Sequence, residues 1–232
     1  MITPEGKKRM NNEIEKLQEN IVPAKDQTVL GFYSYDYDKT GKKILFIGNS
    51  ITKHSPKPEI GWENDCGMAA SSLENDYVHQ LMSKIRTVDG EARFAIQAAW
   101  EIENNFENFN NEKLSSSREY DADIIIMFFG ANVAKEYKDR TDLKKSFAEA
   151  CAELRNYVNP ENKAKVYWFG GFYIRPEIDA EKEKAAKICG DKYVSLGDIP
   201  FRTETHGKFN HPGDLGMKEI AELMWNTIKT DF

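Results

Sequence analysis

From Lys43 onward, short apolar runs alternate with longer stretches in which apolar residues recur at helical spacing. Ile44-Leu45-Phe46-Ile47 and Ile124-Ile125-Ile126-Met127-Phe128-Phe129 contain no polar alternation. A β-branched and aromatic run with nothing polar on either face predicts a strand buried on both sides, as in parallel sheets. Runs of this kind predict strands over 43–48, about 92–98, 122–129, 165–171 and 192–196. The stretches between them predict helices over about 68–86, 140–157, 178–189 and 214–230. Asp214 fits the N-cap of the last helix, after the turn made by Pro212-Gly213. Strands alternating with helices imply a five-stranded parallel sheet covered on both faces, and right-handed crossovers give a three-layer α/β/α sandwich.

Residues 1–39 do not share this pattern, so the chain divides into an N-terminal segment and a main domain over 40–232. Thr3-Pro4-Glu5 opens a predicted helix to about Asn20, with Met10, Ile14 and Leu17 as a narrow apolar stripe. Val22-Pro23-Ala24 and the aromatic run Gly31-Phe32-Tyr33-Ser34-Tyr35-Asp36-Tyr37-Asp38 follow. This segment is too small to fold alone. It reads as a helix and an irregular or β arm packed on the main domain, or alternatively as an arm that makes a homo-oligomer.

Composition removes several classes of function. Net charge is −6, from 32 basic and 38 acidic residues, and the basic residues are scattered. A nucleic-acid surface needs them clustered. No apolar run approaches the roughly 20 residues of a membrane span. The N-terminus lacks the apolar core of a signal peptide, which points to a cytoplasmic chain. Three cysteines with no C-x-x-C pair suggest neither a zinc site nor a disulfide framework. His206, His211 and Asp214 lack the acid-rich surroundings of a metal site. Neither Gly-rich phosphate-binding pattern is present, nor the Gly-x-Ser-x-Gly elbow, so no cofactor is expected.

Three short motifs carry candidate chemistry. Gly48-Asn49-Ser50 ends the first predicted strand, Gly130-Ala131-Asn132 ends the third, and Asn210-His211-Pro212-Gly213-Asp214 precedes the last helix. In open parallel sheets, ligands bind beyond the carboxyl ends of the strands. Ser, Gly, Asn and His in this order resemble the SGNH (GDSL-like) hydrolase family over roughly residues 43–230. The resemblance implies flavodoxin-like strand order, Ser50 as nucleophile and His211 as base. It implies an oxyanion hole from Ser50, Asn132 and a glycine, for which Gly67 in Cys66-Gly67-Met68 fits best.

The chain departs from the family three residues before His211, where an aspartate is usual and Lys208 stands. Glu204, Glu101 and Asp214 are the carboxylates that could orient the imidazole instead, and a backbone carbonyl is the preferred alternative. A carboxylate is not strictly required, because it sets tautomer and orientation rather than accepting the serine proton. Between Ser50 and Gly67, two prolines and Trp62 predict a shaped loop, with Trp62, His54 and Lys53 as candidate substrate contacts. The expected function is a serine esterase acting on short-chain, chiefly acetyl, esters of small molecules or carbohydrates. The alternatives are a non-catalytic glycan- or partner-binding domain and an acyltransferase.

Overall fold

The structure is a computed structural model, and it describes residues 31–232. The helix predicted before residue 31 lies outside the described residues. Six strands form one sheet: β1 (Phe32–Tyr35), β2 (Lys43–Gly48), β3 (Arg93–Ala98), β4 (Ile124–Phe128), β5 (Lys165–Phe169) and β6 (Lys192–Val194). Their spatial order is β1-β3-β2-β4-β5-β6. The last five are parallel, and their order is the flavodoxin-like one. β1, from the aromatic run after residue 30, pairs antiparallel with β3 at the edge. The sheet therefore has six strands where the pattern of apolar runs predicts five.

Ile44, Leu45, Phe46 and Ile47 are all fully buried, because successive side chains of a strand point to opposite faces and both faces are covered. Ile44 and Phe46 pack with helices α1 (Tyr77–Arg86) and α6 (Asp214–Ile228). Leu45 and Ile47 pack with α4 (Phe147–Val158) and α5 (Pro176–Cys189) on the other side. Two short helices, α2 (Trp100–Asn104) and α3 (Ser115–Tyr120), complete the second layer.

Two predicted helices begin later than their apolar spacing suggests, and a cap explains each. Asp76 accepts the His79 N–H at 2.7 Å and starts α1 at Tyr77, so residues 68–76 remain a loop with a short 3₁₀ turn. Ser146 and Glu149 form a reciprocal capping box and start α4 at Phe147 rather than near 140. At α6 the N-cap is Gly213, not Asp214, whose carboxylate instead accepts from Ser71 N at 2.8 Å and Ser71 Oγ at 2.6 Å.

The central strands set the position of everything at their carboxyl ends. Ile126→Ala, a fully buried truncation in β4, should cost about 2–5 kcal/mol in urea unfolding.

Candidate active site

Ser50 sits in a tight turn at the end of β2. The Thr52 and Lys53 N–H groups both donate to the Asn49 carbonyl, at 2.9 and 3.0 Å, and Ile51 N–H donates to Asn49 Oδ1 at 3.1 Å. A Cβ at Gly48 would lie 1.8 Å from Thr52 Oγ1, so only glycine lets the turn fold back this closely.

Ser50 Oγ lies 2.7 Å from His211 Nε2, and both residues are buried. His211 Nδ1 lies 2.8 Å from the carbonyl oxygen of Phe209. A carbonyl can only accept, so the imidazole proton resides on Nδ1 and the Nε2 lone pair faces the serine hydroxyl. This is the tautomer a general base needs. Phe209 (φ 58°, ψ 22°) and Asn210 (φ 55°) are both left-handed, and this double turn aims the Phe209 carbonyl at the His211 ring two residues on. Non-glycine residues in that region cost on the order of 1 kcal/mol or more each, and persist where surrounding structure holds them. Here the Gly207 N–H donates to the His211 carbonyl at 2.7 Å and closes the loop. Tyr173 Oη also lies 3.1 Å from Nδ1, with its ring edge-on to the imidazole at 5.9 Å.

None of the three carboxylates expected as orienters faces His211. Glu101 pairs with Lys113, Glu204 is exposed near Arg202, and Asp214 holds Ser71. The imidazole thus has no acid behind it. Burial pushes its pKa down to about 4, with the Phe209 carbonyl pulling it back up and His54 adding to the depression.

Asn132 follows β4 and donates through its side-chain amide to Glu103, a fully buried carboxylate on α2. Glu103 also accepts the Gly130 N–H and, at 2.9 Å, the side-chain amide of Asn49. Burial pushes the Glu103 pKa up, and these donors pull it back. The second N–H of the Asn132 amide remains for a ligand.

Gly67 has a different role from the one expected. Its N–H donates to Asp76 Oδ2 at 3.0 Å and is not available to an oxyanion. A Cβ there would lie 2.4 Å from the Ile51 carbonyl, so this glycine permits close backbone approach. Met68 N–H donates to the Ser50 carbonyl at 2.8 Å, which brings the next residue, Ala69, beside the serine turn. Ala69 has φ 76°, a conformation that usually selects glycine. Its N–H and that of Ser50 have no acceptor among the described residues. An alanine in that conformation leaves no mark in the sequence. The phenol of Tyr173, downstream of Gly170-Gly171, gave none either.

The expected substrate contacts are structural. Trp62 is 4% exposed and donates through Nε1 to the His54 carbonyl at 3.3 Å. Lys53 is 5% exposed, pairs with Asp65 and lies 5.0 Å from the Tyr33 ring centre. His54 is buried against the Ser55 carbonyl and edge-on to Trp62. Together they build the loop wall rather than a surface for substrate. Cys66 is buried beside them, and burial pushes its thiol up to about 12, which removes it as a nucleophile. Among the described residues no group of His, Cys, Asp or Glu side chains could hold a metal ion.

Two outcomes follow from this geometry. Labelling of Ser50 by a fluorophosphonate should hold from neutral pH down toward the His211 pKa of about 4, then fall as Nε2 takes a proton and can no longer accept one. A pH–rate profile of labelling checks this; a fall centred near the ordinary histidine value of about 6.5 would contradict it. Glu103→Gln would set an NH₂ group against N–H donors, and should cost about 1–3 kcal/mol in denaturant unfolding and slow Ser50 labelling.

No protein-family model matches the chain, and no curated protein matches it in sequence. Solved structures do match it. A family two carbohydrate esterase from Clostridium thermocellum superposes with TM-score 0.55 at 14% identity, over 82% of this chain and 63% of that one. A two-domain esterase active on acetylated mannans gives TM-score 0.57 at 17% identity, over 82% of this chain and 49% of that one. A protein assigned as a GDSL-like lipase, from Bacteroides uniformis, gives TM-score 0.51 at 16% identity, over 84% of this chain and 99% of that one. The chain thus spans less than two thirds of the length of the first two. The parallel order, the strand-end placement of Ser50 and Asn132, and these superpositions agree on one architecture: the chain has the SGNH (GDSL-like) hydrolase fold.

Proposed function

We propose that this protein is a serine esterase that removes short acyl groups, acetyl foremost, from a carbohydrate or small-molecule ester. The observation that carries the reading is the 2.7 Å contact of Ser50 Oγ with His211 Nε2, in a tautomer fixed by the Phe209 carbonyl. His211 takes the Ser50 proton as Oγ attacks the ester carbonyl carbon. The oxyanion forms against the N–H groups of Ser50 and Ala69 and the Asn132 amide; one such donor typically contributes about 10²–10³ in rate. Collapse breaks the bond to the alcohol oxygen, which receives the proton from His211 and leaves. Water, deprotonated by the same imidazole, then releases the acyl group from Ser50.

The carbohydrate part of the reading is supported by the company the fold keeps, since two of the superposed structures are esterases acting on carbohydrates. Lys208 in the aspartate position does not argue for a dead site, because the Phe209 carbonyl supplies orientation without it. An acyltransferase would use the same acyl-enzyme, and is separated from a hydrolase by product analysis with an added sugar acceptor.

Hydrolysis of p-nitrophenyl acetate, butyrate and octanoate should fall with chain length. Ser50→Ala and His211→Ala should each lose about 10⁴-fold or more while folding normally. Turnover that survives Ser50→Ala, or that favours octanoate, overturns the proposal.

A further inference from the structure

Tyr173 lies on the loop between β5 and α5, and that loop is fastened at several points. Gly171 N–H donates to Asp179 Oδ1 at 2.8 Å. Lys182, fully buried on α5, reaches the same Asp179 oxygen at 2.9 Å and donates to the Phe169 carbonyl at 3.0 Å. Arg175 donates to the carbonyls of Val133 and, at 3.1 Å, Ala134, which directly follow Asn132. The loop that presents the phenol is therefore tied both to the sheet and to the segment carrying Asn132.

The phenol meets one atom of the dyad. His211 Nδ1 carries a single proton and has two acceptors, the Phe209 carbonyl at 2.8 Å and Tyr173 Oη at 3.1 Å. One acceptor fixes a tautomer; two, on different elements, also fix the plane of the ring. The phenol ring stands edge-on to the imidazole, at 86°, with the ring centres 5.9 Å apart. Because Nδ1 already carries a proton it has no lone pair with which to accept, so in this contact the phenol oxygen is the acceptor.

We infer that Tyr173 is a positioning residue for His211: its hydroxyl and the Phe209 carbonyl together fill the place behind the imidazole that Lys208 leaves without a carboxylate. This rests on the Ser50–His211 esterase reading. As His211 becomes imidazolium, the Nδ1–H becomes a stronger donor, and both neutral oxygens hold it more tightly. Burial keeps the phenol protonated, so it acts as a neutral acceptor and not as a phenolate. The remaining titratable group that acts on the imidazole is His54, and Glu103 acts on the phenol.

The test is Tyr173→Phe, which keeps the ring and its edge-on packing and removes one acceptor. The expected result has two parts. The kcat for p-nitrophenyl acetate drops about fivefold to tenfold with KM nearly unchanged, as for loss of one neutral hydrogen bond. The His211 pKa, read by NMR titration of histidine-labelled protein, moves below its wild-type value, because the imidazolium has lost one of its two acceptors. An unchanged titration overturns the inference, whether or not the rate falls, since loss of packing alone would not move the proton equilibrium. The titration needs no turnover. A wild-type enzyme without Ser50-dependent hydrolysis would therefore sink the esterase reading while leaving the role of Tyr173 decided by NMR.

Discussion

The site depends on one buried carboxylate. Glu103 has no access to water and accepts from Asn49, Gly130 and Asn132. These donors come from the ends of two adjacent strands, so a single side chain on α2 joins the turn that carries Ser50 to the turn that carries Asn132. Hydrogen bonds to a charged group contribute about 1.5–3 kcal/mol each, and an unmatched buried charge would cost more. The three donors must therefore converge, and their convergence fixes the separation of the Ser50 turn and the Asn132 amide. Asp76 acts similarly on the other side of Ser50. It accepts the Gly67 N–H and both the backbone and ring N–H of His79, and so ties the Ala69 turn to the start of α1.

The imidazole is held by different means. Two successive left-handed residues turn the Phe209 carbonyl onto Nδ1, and the Tyr173 hydroxyl approaches the same atom from another loop. Neutral oxygens fix tautomer and ring plane as a carboxylate does, but they stabilise imidazolium far less. With burial pushing its pKa down and only neutral oxygens behind it, the imidazole stays neutral well into acid.

The parallel sheet explains why these parts meet at one edge. Gly48 pairs with Phe128 and with Ala98 in register, so β2, β3 and β4 end at one level. Ser50, Asn132 and α2 with Glu103 leave the sheet together there. The β5–α5 loop bearing Tyr173 leaves from the next strand along.

Much of this was legible in the chain. Uninterrupted apolar runs on strands covered from both sides fixed the parallel layers, because a strand with two buried faces admits no polar alternation. Gly48-Asn49-Ser50, Asn132 and His211 were legible as strand-end and loop motifs, because their order along the chain resembles that of the SGNH family. The sixth strand was legible only as an irregular or β arm, because the aromatic segment that forms it gains its place by pairing with β3 rather than from a pattern of its own. The identity of the free N–H was not legible. Gly67 looked available, yet Asp76, nine residues away, occupies its N–H, while that of Ala69 has no acceptor among the described residues. Lys53, His54 and Trp62 read as candidate substrate contacts, and burial made them a wall. Local composition decides what a segment prefers. Which donor finds which acceptor, and whether a carbonyl or a carboxylate stands behind a histidine, is decided by contacts between residues distant in sequence, and these form only when the layers pack.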